Sequence, residues 1–175
     1  MAGRIVNWIR SKDNPPTVEH AARTAVAAVV SLLVARALRM PEAYWAPIST
    51  LIVMQSSLGA ALPISAQRFA GTALGAGVGG LVAMYRPGNA LAFALAVFAI
   101  GVLCAWVRVE RAAYRYAGIT LAIVMLVVRN QSSWRIAAHR FIEVSVGIAL
   151  GLVVTAAWPE RRMGVKPAIR AGGRN

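Results

Sequence analysis

Glu143 lies inside an apolar run, three residues after Arg140. A carboxylate within a bilayer is expensive unless it is paired, solvated or protonated, so such a residue marks a proton or ion path by default. Two readings of it stand. In one, Glu143 couples to protons. In the other, it pairs with Arg140 across one helical turn near the end of a span and only orients the helix. A second polar cluster is Trp45-Ala46-Pro47, followed by Gln55-Ser56-Ser57. Proline and polar groups at membrane depth are tolerated only against protein or a water-filled cavity, which makes Trp45, Pro47 and Gln55 candidates for lining a pathway. Tyr44-Trp45 and Trp158 also fit interfacial anchors, because amphipathic rings favour the headgroup zone.

Other chemistries find no support. His20 and His139 are far apart, and neither an H-E-x-x-H sequence nor a phosphate-binding Walker loop occurs. The single cysteine, Cys104, sits in an apolar run and cannot build a disulfide framework or a thiolate metal site within one chain. Gly75, Gly77 and Gly80 match the dinucleotide pattern G-x-G-x-x-G, but no strand precedes them and no acidic residue follows at the required distance. Without paired catalytic carboxylates or a Ser/His/Asp set, no enzyme, cofactor or metal is expected.

The elements that must position these residues are membrane helices. Hydrophobic residues make up 58% of the 175, mean hydropathy is +0.61, and the apolar blocks match a hydrocarbon slab of about 30 Å at 1.5 Å per residue. The expected fold is all-α, with six spans near 24–38, 45–62, 68–85, 90–107, 116–128 and 138–158. Asn14-Pro15 is a good start for the first helix, Met40-Pro41 a break, and Arg86-Pro87-Gly88-Asn89 a turn. Residues 1–18 form an amino-terminal segment without a cleavable signal, 19–158 the membrane domain, and 159–175 a short basic tail expected to be disordered.

The formal charge of +13 needs no nucleic acid, because the arginines sit at the ends of apolar blocks and no basic groove with interleaved aromatics is present. With six spans, thirteen Lys and Arg fall on the side of both termini and six on the other, so both termini are expected in the cytoplasm. Asn130-Gln131-Ser132 fits a glycosylation sequon on the outer face, a weak signal.

The halves of the chain resemble each other. Ala46, Ile48, Ile52, Val53 and Met54 recur 71 positions later as Ala117, Ile119, Ile123, Val124 and Met125, with Ser49 matched by Thr120. One residue of slip later, Arg68-Phe69 recurs as Arg140-Phe141, and Gly75 and Gly79 as Gly147 and Gly151. Two three-helix units must enter the membrane in opposite senses, giving a 3+3 inverted repeat of the kind common in secondary transporters. Gly71, Gly75 and Gly79, like Gly147 and Gly151, are spaced for close helix packing.

These residues resemble the fusaric-acid resistance (FUSC) or aromatic acid exporter family of bacterial inner-membrane proteins. The resemblance runs from about Glu19 to Trp158. It rests on Arg23-Thr24-Ala25, Tyr44-Trp45-Ala46-Pro47-Ile48 leading to Val53-Met54-Gln55, Arg68-Phe69-Ala70-Gly71-Thr72 with Gly75, and Arg140-Phe141-x-Glu143 with Gly147. It implies efflux of aromatic carboxylic acids or similar anions, driven by the proton gradient, with Arg68 and Arg140 supplying charge and Trp45 a stacking surface. Larger members carry two such membrane halves and a cytoplasmic region, which implies a homodimer or larger assembly here, or accessory export subunits. The alternative is a membrane scaffold or assembly partner that does not itself transport.

Overall fold

The computed structural model describes residues 17–55, 57–127 and 132–158. They form six helices: α1 (Val18–Ala37), α2 (Trp45–Val53), α3 (Leu58–Tyr85), α4 (Ala90–Trp106), α5 (Arg111–Leu126) and α6 (Ser133–Ala157). Side-chain caps begin three of them. Thr17 accepts from His20 N at 3.0 Å, Ser57 from Ala60 N at 3.4 Å, and Asn89 from Ala92 N at 2.9 Å, each satisfying an amide that the first helical turn leaves open. α1 and α4 close alike. Arg39 and Arg108 adopt left-handed backbone, with φ of 52° and 57°, and Met40 N and Val109 N reach back to Ala35 O and Cys104 O, the six-to-one bond of a Schellman ending.

Small residues set how the helices meet. α3 and α5 run parallel: Gly71 faces Ala113 and Tyr116, Gly75 faces Ala117 and Thr120, and Gly79 faces Leu121 and Val124. α2 and α6 also run parallel, with Gly147 against Ala46 and Ser49 and Gly151 against Thr50 and Val53. A Cβ at Gly71, Gly75 or Gly147 would run into the carbonyl oxygen of Ala113, Ala117 or Ala46, so backbone meets backbone at these points. α3 and α6 are antiparallel, with the Phe69 and Phe141 ring centroids 5.0 Å apart and Gly80 against Trp134.

The distribution of polarity is inverted relative to a water-soluble bundle. Leu91, Phe98 and Trp106 of α4 are 70–83% exposed, while Arg23, Arg68, Arg140 and Glu143 are buried among helices. An apolar exterior of this extent fits a lipid surface. By length and composition, α1 and α6 can each cross a membrane, and α4 is apolar over 17 residues. α3 is long enough at 28 residues, but its glycines, Gln67 and Arg68 dilute its hydropathy.

Several expected boundaries are corrected. The second span does not run from Trp45 to Leu62: α2 stops after nine residues, Met54 turns extended, and Ser57 caps a new helix. Gln55 and Ser57 thus belong to a helix break. Pro63 is absorbed into α3 at its sixth residue, where it forgoes one amide bond, to Gly59. α1 begins at Val18 on the Thr17 cap and not at Asn14-Pro15, which lie outside the described residues. α5 and α6 begin at Arg111 and Ser133, five residues before the expected Tyr116 and Ala138, because helices continue through polar residues that a hydropathy count excludes. Most of the sequon and the basic tail also lie outside the described residues.

Candidate functional site

Trp45, Arg140 and Glu143 come together where α1 turns into α2. The Arg140 guanidinium carbon stands 3.0 Å from the centroid of the Trp45 ring, a close cation–π contact. The Trp45 indole donates to Glu42 Oε2 at 3.2 Å, and the Tyr44 hydroxyl donates to Glu42 Oε1 at 3.0 Å. Glu143 Oε1 in turn accepts from the Glu42 backbone amide at 2.9 Å. Glu143 therefore anchors the turn before α2 to α6, at a helix N-terminus, where negative charge is favoured. Sequence reasoning missed Glu42. Its position three residues before Trp45, between Pro41 and an aromatic pair in a chain with six acidic residues, was the available signal.

Arg68 is linked to this group through α2. Its Nη2 donates to the Ser49 hydroxyl at 3.1 Å, which itself donates to Trp45 O at 2.9 Å. The guanidinium carbon is 5.0 Å from the Tyr116 ring centroid. Tyr116, Arg68, Ser49, Trp45 and Arg140 thus form one continuous chain of contacts. Beside it, Thr50 Oγ1 is 2.8 Å from Gly147 O and 2.9 Å from Ser31 Oγ, tying α1, α2 and α6 together.

Gln55 is not part of this group. Its carbonyl accepts from Arg23 Nη2 at 2.5 Å, while Arg23 Nη1 donates to Trp158 O at 2.8 Å. The fully buried Arg23 so closes the carbonyl ends of α2 and α6 together. Pro47 occupies the first turn of α2, half-buried, where proline loses little. Of the expected pathway lining, Trp45 and Pro47 are at one end of α2 and Gln55 at the other. An apolar cleft of about 250 Å³ between α3 and α6, lined by Ala73, Gly77, Trp134 and Phe141, stands apart from the arginines. Among the described residues no cluster of His, Cys, Asp or Glu is arranged to hold a metal ion.

A helical chain with an apolar exterior and buried arginines has the build of a membrane protein. Residues 25–154 match the family described as fusaric acid resistance protein-like, and the chain belongs to that family. It is 29% identical over 150 residues to the inner membrane protein YeeA of Escherichia coli K12, covering 82% of this chain and 42% of that protein. It is 32% identical over 141 residues to the uncharacterized transporter YdhK of the same strain, covering 75% of this chain and 21% of that one. The YdhK protein of Salmonella typhimurium LT2 is 30% identical over the same length. The chain spans about two fifths and one fifth of the length of these relatives.

Proposed function

We propose that this chain is a transport unit of the bacterial inner membrane that exports aromatic carboxylates or similar small organic anions, driven by the proton gradient. The observation that carries the reading is the pair of buried arginine–aromatic contacts, Arg68 with Tyr116 and Arg140 with Trp45. These four residues correspond to one another under the sequence repeat, 72 positions apart for the arginines and 71 for the aromatics. The glycine contacts support the same correspondence, since Gly75 on Ala117 and Thr120 matches Gly147 on Ala46 and Ser49. So do the matching ends of α1 and α4.

On this reading the chain is a 3+3 inverted repeat of six membrane helices with both termini in the cytoplasm. Arg68 and Arg140 stand in opposite halves, each against an aromatic ring, and Glu143 exchanges the coupling proton. The relatives' names, an inner membrane protein and a transporter, support the location and the activity class. On the same reading the unit works as a homodimer or with accessory export subunits.

The test is movement of a panel of labelled aromatic acids by the purified protein in liposomes, with and without an imposed pH gradient. Gradient-dependent movement is expected, and Glu143→Gln should flatten its pH dependence. No movement after confirmed insertion would favour the second reading, a membrane scaffold for a larger export complex. An unchanged pH profile in Glu143→Gln would remove the proton role alone.

A further inference from the structure

Arg68 and Arg140, both buried, differ in what surrounds them. Near Arg140 stand two carboxylates: Glu143, one helical turn on along α6, and Glu42, which holds the indole that Arg140 covers. Around Arg68 the partners among the described residues are the Ser49 hydroxyl and the Tyr116 ring, neither of which is a carboxylate. Arg68 Nε is buried without a hydrogen-bond partner, and so is the hydroxyl of Ser65, one turn back on the same helix. Arg68 and Ser65 are 6% and 4% exposed. Glu110 is exposed and accepts from Gln67, and Glu19 lies beside Trp158. The repeat position matching Glu143 is Gly71, where the Ala113 backbone leaves no room for a side chain.

A buried cation without a counter-charge is costly, as are buried donors without acceptors. Both deficits end when an anion enters. We propose that Arg68, Ser65, Ser49 and Tyr116 form the anion seat, which takes one monovalent organic carboxylate, whereas Arg140, with the carboxylates of Glu42 and Glu143 beside it, calls for no external anion and positions Trp45. This deepens and rests on the organic-anion reading above. Charge balance sets the ligand class: one uncompensated guanidinium matches one carboxylate, and a dianion would leave a buried negative charge unanswered. The guanidinium fork suits a carboxylate's two oxygens, and Ser65 supplies a further neutral donor. The repeat thus places two arginines, but they divide the work, one for the ligand and one for the frame.

Equilibrium binding of radiolabelled benzoate to the protein in lipid nanodiscs tests this, with phthalate, the same ring carrying two carboxylates, as competitor at neutral pH. Wild-type protein should bind benzoate saturably, and phthalate should compete at least about tenfold more weakly. Arg68→Met should weaken benzoate binding at least about tenfold while leaving the thermal midpoint unchanged or raised, because it removes an uncompensated buried charge. Arg140→Met should lower the midpoint, since it strands Glu42 and Glu143. Ser65→Ala, a change of one hydroxyl, should weaken binding several-fold and serves if Arg68→Met fails to fold. Wild-type affinity in Arg68→Met and Ser65→Ala, phthalate binding as well as benzoate, or no saturable benzoate binding at all would overturn the assignment. Arg68-dependent binding without gradient-driven movement would remove the transport reading and leave the seat. Movement that survives Arg68→Met would do the reverse.

Discussion

Arg23 is the residue whose work is least visible in the sequence and most definite in the structure. In the chain it is one more arginine before an apolar run; in the fold it ties Gln55 O and Trp158 O, 103 residues apart in sequence, to α1. Replacing it with Met leaves two carbonyls without their charged donor, at roughly 1–3 kcal/mol each. Arg23→Met should therefore lower the thermal midpoint in detergent clearly, whereas Trp158→Ala, which keeps the carbonyl, should do so less. An equal loss in both would contradict the capping role. Glu42 was hidden for the same reason, since its partners arise only when the turn before α2 folds onto α6. By contrast Glu143 stood out as a charge inside an apolar run, and Arg68 and Arg140 drew notice through the Arg-Phe pair that recurs 72 positions apart.

At the scale of elements, spacing told more than hydropathy. The glycine series announced close packing, and a Cβ at Gly75 or Gly147 would meet backbone. Gly75→Val and Gly147→Val should each destabilise by roughly 1–3 kcal/mol or more, while Gly77→Ala, which meets nothing within 4 Å, should be close to neutral. Thermal midpoints across these three variants check the contrast. Arg39→Gly and Arg108→Gly should each stabilise by about 1 kcal/mol, because glycine carries no penalty in left-handed backbone; a lowered midpoint would mean that the arginine side chains hold something the backbone does not. The break after Met54 was misread because residues on both sides of it are apolar. Gln55-Ser56-Ser57 looked like a polar lining, when Ser57 serves as the cap of α3.

For the molecule as a whole, the proposed inverted arrangement is supported by the sequence repeat and by the contact pattern, in which α3 on α5 mirrors α6 on α2, with Phe69 and Phe141 meeting between them. Hydropathy alone does not suggest it, since among the described residues only α1 and α6 combine spanning length with a strongly apolar composition. The most direct test is the sidedness of the two equivalent turns. In a Cys104→Ala background, single cysteines at the exposed positions Arg39→Cys and Arg108→Cys would be reacted with a membrane-impermeant maleimide in right-side-out and inverted vesicles. The account predicts labelling of Arg39→Cys only in right-side-out vesicles and of Arg108→Cys only in inverted ones; labelling of both from the same side would contradict the inverted repeat and the transport mechanism built on it.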